Sequence, residues 1–221
     1  MRSNTAKKIL ALFGDSILDN AAYTHPEPDT TAHLERQLGA DWTVQRLALD
    51  GAMMHNVGEQ LSALRDRPDV AVLSVGGNDA IEHIDILEQP AVTSGTVLED
   101  LEKIGASFHT AYERVARAVA QRAARTIVCT IYEVQLEPPV FAKRVRVPLA
   151  VINDRILRVA AKLGLDTLEL RRSARNQRIL FSRSSPRPRA QRRSPKQLSM
   201  SCGATAGSHQ AGYLLLNTPM Q

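Results

Sequence analysis

Five short apolar segments punctuate this chain, and between them apolar residues recur every three or four positions. Ile9 to Phe13 is continuous and apolar, the pattern of a strand covered on both faces. Thr43 to Leu49, Val70 to Val75, Thr126 to Ile131 and Leu165 to Leu170 read as four more strands. Helices are predicted between them. Thr30 to Gly39 has Leu34 and Leu38 four apart and a glycine stop, and His55 to Leu64 places Val57, Leu61 and Leu64 on one face. A long helix opens at the capping box Thr96-Val97-Leu98-Glu99, with Leu101, Ile104, Phe108, Tyr112, Val115 and Val119 as its apolar stripe. The next is predicted to begin at Pro148, after a loop at Glu137-Pro138-Pro139, and to stop at Gly164. Ala80 to Gly95, acidic and holding Pro90, reads as a surface excursion.

Strands that alternate with amphipathic helices argue an α/β fold: a five-stranded parallel sheet covered by helices on both faces, in three α/β/α layers. In such sheets the binding crevice lies outside the carboxyl ends of the strands, where the strand order reverses. With the order 2-1-3-4-5, the first strand sits between the second and third at that point. Their terminal turns, Gly14-Asp15-Ser16, Asp50-Gly51-Ala52 and Gly76-Gly77-Asn78-Asp79, would then share one crevice.

Composition narrows this picture in three ways. A chain of 221 residues, 43% hydrophobic, can bury one substantial core and is expected to form a single domain over residues 1–170. The two cysteines, Cys129 and Cys202, offer neither a disulfide framework nor metal-ligand spacing, and the apolar run after the basic N-terminus is too short for a signal peptide or membrane span. A cytoplasmic protein is expected. The net charge of +5 divides unevenly: residues 1–170 carry −5, whereas residues 171–221 hold ten Lys and Arg and no acidic residue. The basic excess therefore says nothing about the partner of the folded part, and no nucleic-acid partner is expected of it.

The chemistry-bearing turn is the first. Gly14 permits a sharp reversal, while Asp15 and Ser16 are capping residue types that would open a short helix. A strand–turn–helix of this kind puts the Ser16 hydroxyl at a strand end, beside N–H groups able to stabilise an oxyanion. Asp15 and Asp79 are each expected to bond local backbone N–H groups and fix their own turns.

Gly14-Asp15-Ser16, Gly51 after the second strand and Gly76-Gly77-Asn78-Asp79 after the third resemble, in order and spacing, the first three sequence blocks of the SGNH hydrolases, the GDSL esterase/lipase family. The resemblance covers residues 8 to 170. It implies a flavodoxin-like fold and a serine esterase acting on a small-molecule ester, with no cofactor and no metal. It also implies that Ser16 is the nucleophile, and that the oxyanion is held by the Ser16 N–H, the Gly51 N–H and the Asn78 side-chain amide.

One block departs from the family. A serine nucleophile needs an adjacent base, which the family takes from an Asp-x-x-His after the fifth strand. No Asp-x-x-His occurs in this chain, and no carboxylate follows Glu169. His55, His83 and His209 are the histidines to search for a base. The tail 171–221, rich in Ser, Arg, Pro and Gln, reads as disordered or as translated out of frame. Codon regrouping over Arg175 to Ile179 permits Glu-Pro-Ala-Asp, which would restore acidic residues where the fourth block belongs. A homologue that binds ligand without turnover is the alternative function.

Overall fold

In the computed structural model the described residues are 6–91, 93–133 and 139–171, with the backbone of 178–179 and 202–203. The chain runs β1 (Lys8–Gly14), α1 (Ala21–Thr24), α2 (Thr30–Leu38), β2 (Trp42–Arg46), a 3-10 turn (Met54–Asn56), α3 (Val57–Ser62), β3 (Val70–Ser74) and α4 (Gly77–Ile81). It continues through a second 3-10 turn (Ile84–Leu87), α5 (Ser94–Arg122), β4 (Arg125–Cys129), α6 (Pro139–Leu163) and β5 (Asp166–Leu168). The five strands form one parallel sheet in the order β2-β1-β3-β4-β5. Residues 178–179 and 202–203 pair antiparallel outside it.

That order decides where the helices lie. Right-handed crossovers place the β1-to-β2 connection on one face and the three rightward connections on the other. Accordingly Leu34 of α2 packs with Leu10, Leu12, Val72 and Ile127 on one face. Val57 of α3, Phe108 and Tyr112 of α5 and Ile152 and Ile156 of α6 pack with Ala11, Phe13, Leu73 and Val128 on the other. β1 is buried from both sides because alternate residues feed both cores, which is why Ile9 to Phe13 reads as an unbroken apolar run.

Three elements differ from the sequence reading. α5 opens at Ser94 rather than at Thr96, because the Thr93 hydroxyl accepts from the Thr96 N–H and caps it. α6 begins at Pro139, where a missing N–H costs nothing, and Pro148 sits inside it. The interior proline removes one helical hydrogen bond, but Ile152, Ile156 and Val159 anchor the helix by full burial beyond it. Ala80 to Gly95 is not a mere surface excursion: α4 ends within it, the Ile84–Leu87 turn folds there, and Ala80 packs against the core. The tail expectations fall outside the described residues, apart from the paired backbone noted above.

Candidate active site

Three strand ends are tied together by backbone. Gly14 ends β1 at φ +125°, and the Asp15 N–H donates to the Ser74 carbonyl at 2.9 Å. Buried Gln60 of α3 clamps the same point, its Oε1 accepting from the Gly14 N–H at 2.8 Å and its Nε2 donating to the Gly14 carbonyl at 2.9 Å. The chain then turns rather than opening a helix directly. The Asp15 carbonyl accepts from the Leu18 and Asp19 N–H groups, the Asp15 Oδ1 from the Ile17 N–H at 3.1 Å, and the first helical residue is Ala21. Asp15 thus fixes its own turn as expected, and Ser16 stands on that turn, half-buried.

The second turn is fastened to the first, since Asp19 Oδ2 accepts from the Asp50 N–H at 2.9 Å and Asp19 Oδ1 pairs with Arg46. Gly51 follows at φ +73°, exposed. The third turn reaches back to the second, for the Asn78 Nδ2 donates to the Ala52 carbonyl at 2.9 Å. Asp79 departs from expectation: it does not merely fix its own turn, but accepts from the Met54 N–H at 3.2 and 3.1 Å, bridging to the loop after Gly51.

Ser16 and Asn78 line one cleft of about 1070 Å³, open mouth included. Gly51 does not line it, and reaches the site only through the Ala52 link to Asn78. Among the described residues neither the Ser16 nor the Gly51 N–H donates to a protein acceptor, so both remain available. Of the histidines, His83 lines the cleft at its exposed rim, His55 lies near enough to Asp79 to act on its charge, and His209 falls outside the described residues. Glu169 is engaged elsewhere, with Arg171 and the Thr130 hydroxyl, which hold its carboxyl down at about 2.

Electrostatics around the Ser16 turn are set by burial. Desolvation raises the Asp15 carboxyl to about 7, against the Ile17 N–H that lowers it, with Asp79 and Asp50 adding repulsion. Burial likewise raises Asp79, opposed by the Met54 N–H. Below the Ser16 turn, burial pushes the Cys129 thiol to about 12 and makes the Tyr112 phenol harder to ionise still. The folded chain therefore holds a proton on Asp15 that the unfolded chain releases above pH ~4. Stability from this group is fully present below that pH and declines up to about 7, by up to roughly 4 kcal/mol at 1.36 kcal/mol per pH unit. Asp15→Asn is expected to flatten that decline. Urea midpoints at pH 5 and 7.5 for both proteins measure it, and an equal decline in the variant would contradict it.

Sequence reasoning missed the clamps and the cleft wall. Gln60, and Asn153 with its amide on the Ile131 N–H and carbonyl at 2.7 and 2.9 Å, are buried polar residues whose partners are distant in sequence. The wall formed by Ile81, Ile84, Ile86 and Leu87 was visible only as apolar residues within an acidic stretch. Among the described residues no group of three or more His, Cys, Asp or Glu is gathered to hold a metal, and no helix is long and apolar enough to cross a membrane.

A family model, the GDSL-like lipase/acylhydrolase family, matches residues 12–191. Among solved structures, an extracellular lipase of Streptomyces rimosus superposes with a TM-score of 0.54 at 18% identity, covering 74% of this chain and 80% of its own. A phospholipase A1 of Streptomyces albidoflavus gives 0.51 at 17%, covering 76% and 81%. A lipase/acylhydrolase of Enterococcus faecalis gives 0.52 at 19%, covering 74% and 76%. At these identities the likeness establishes the fold. No curated protein matches the chain.

Proposed function

Given that the chain belongs to the GDSL-like lipase/acylhydrolase family, we propose that it hydrolyses carboxylic esters with Ser16 as nucleophile. The observation that supports this most is the linkage of three strand-end turns around one cleft: Ser16 and Asn78 line it, and the Asn78 amide is tied to the Ala52 carbonyl beside Gly51. Attack of the Ser16 hydroxyl on an ester carbonyl places negative charge on the carbonyl oxygen. The Ser16 N–H and the second hydrogen of the Asn78 amide, both on the cleft, are the donors assigned to it, while the Gly51 N–H that the family resemblance also implies stands outside the cleft lining; fixed neutral donors stabilise such charge best in a low-dielectric site.

The attack also requires a proton acceptor. His83 takes that role in this proposal, because it shares the cleft with Ser16; His55, beside Asp79, is the competitor. A second reading, binding without turnover, rests on the missing Asp-x-x-His. Steady-state hydrolysis of p-nitrophenyl butyrate separates the two. The proposal expects activity that falls about 10²- to 10³-fold in kcat for Asn78→Ala, the cost of one oxyanion donor, with KM little changed. It expects a loss in His83→Ala larger than in His55→Ala. Activity untouched by Asn78→Ala would overturn the assignment, and no turnover by folded protein would favour the binding reading.

A further inference from the structure

Resting on the ester-hydrolase reading above, we propose that the cleft is an acyl-chain subsite, and that the protein's substrates are esters of medium- to long-chain apolar acids rather than acetyl esters of polar scaffolds such as sugars. The ester-hydrolase reading leaves both kinds open, so the choice comes from the walls of this cleft. Its polar side chains gather at the strand ends, apart from His83 at the rim, and beside Ser16 itself the strand-end groups that could meet a sugar are engaged. Thr130 donates to Glu169 and accepts from the Leu170 N–H, Asn78 holds the Ala52 carbonyl, and Asp15 holds the Ile17 N–H.

Away from that end the walls are apolar. Ile84 and Leu87 of the second 3-10 turn stand on one side, Leu149 and Ile152 of α6 on another, and Leu101 and Ile104 of α5 complete the enclosure. The α6 lining runs from Val145 to Ile152, two helical turns or about 10 Å, far longer than an acetyl group needs. A sugar placed there would bury hydroxyls without partners, each penalised by about tenfold or more in affinity. A methylene chain would instead gain at every step, by up to about fourfold per buried CH2. Ser16, among the strand-end residues of the lining, sets the carbonyl where the chain begins.

Two measurements decide the matter. The first is kcat/KM for p-nitrophenyl acetate, butyrate, octanoate and decanoate. The proposal expects a rise of about two- to fourfold per added methylene as far as octanoate. A flat or falling series that still depends on Ser16 would overturn the acyl subsite and leave the hydrolase reading standing. The second uses Ser16→Ala and needs no turnover: a dansyl-labelled undecanoate should bind with a fluorescence increase, be displaced by decanoate but not by acetate, and bind at least tenfold more weakly after Ile84→Asp or Leu149→Asp. Failure to bind, as when another segment of the chain occupies the cleft, would overturn the proposal. Binding without hydrolysis of any ester would support the subsite while refuting the hydrolase reading. In the active protein, the same two substitutions should lower the octanoate-to-acetate ratio of kcat/KM at least tenfold, and an equal loss on both esters would count against the subsite.

Discussion

Ser16→Ala should reduce ester hydrolysis to the rate of the buffer, with the urea midpoint unchanged. The side chain is half-buried and makes no hydrogen bond among the described residues, so its removal costs little in stability. Its chemical cost is total, because no second hydroxyl on the nucleophile turn can replace it. The starting rate should be modest. General acid–base catalysis contributes about 10²- to 10⁴-fold, and a chain without an Asp-x-x-His is expected to run slower than complete relatives by a factor in that range. A drop of at least about 100-fold from that level to background still leaves the serine mechanism measurable. Residual activity within tenfold of the parent would mean that another group attacks the ester.

Gly14→Ala should unfold the protein, or destabilise it by more than about 4 kcal/mol, a large part of the 5–15 kcal/mol typical of a domain. At φ +125° an L-residue is strained, and an added Cβ would lie 1.7 Å from the Ser74 carbonyl oxygen. That oxygen cannot retreat, since it already accepts the Asp15 N–H in the β1–β3 pairing. Gly39→Ala isolates the conformational part: its φ is +71° but nothing lies within 4 Å of the added Cβ. With ψ at −164° it lies in a backbone region that glycine alone visits freely, so the change should cost about 1–3 kcal/mol. Urea unfolding of both variants checks the contrast, and similar midpoints would contradict the close packing at Gly14.

The same position shows why the fold was legible in the sequence. A glycine closing an apolar run, followed by Asp and Ser, carries a local signal, and the burial of β1 on both faces leaves its mark as an unbroken apolar segment. The order 2-1-3-4-5 enters the sequence reading only as the condition on which the three turns share a crevice, and the observed sheet β2-β1-β3-β4-β5 meets that condition. What stayed hidden depends on contacts distant in sequence. Gln60 binds Gly14 across 46 positions and Asn153 binds Ile131 across 22, and neither leaves a periodic trace. Pro148 misled because proline is common at helix starts, whereas Pro139 already filled that role. The Ile84–Leu87 wall was obscured by its acidic neighbours Glu82, Asp85 and Glu88. Asp79 resembled a residue bracing its own turn and instead braces the Met54 loop.

Covalent trapping tests Ser16 as the nucleophile lining the acyl cleft. The protein would be incubated with an alkyl fluorophosphonate, digested, and its peptides weighed by mass spectrometry. One adduct per chain is expected, on the peptide carrying Ser16, absent from Ser16→Ala and suppressed by prior addition of decanoate. Folded protein that takes no label, or that takes it at another residue, would contradict the account.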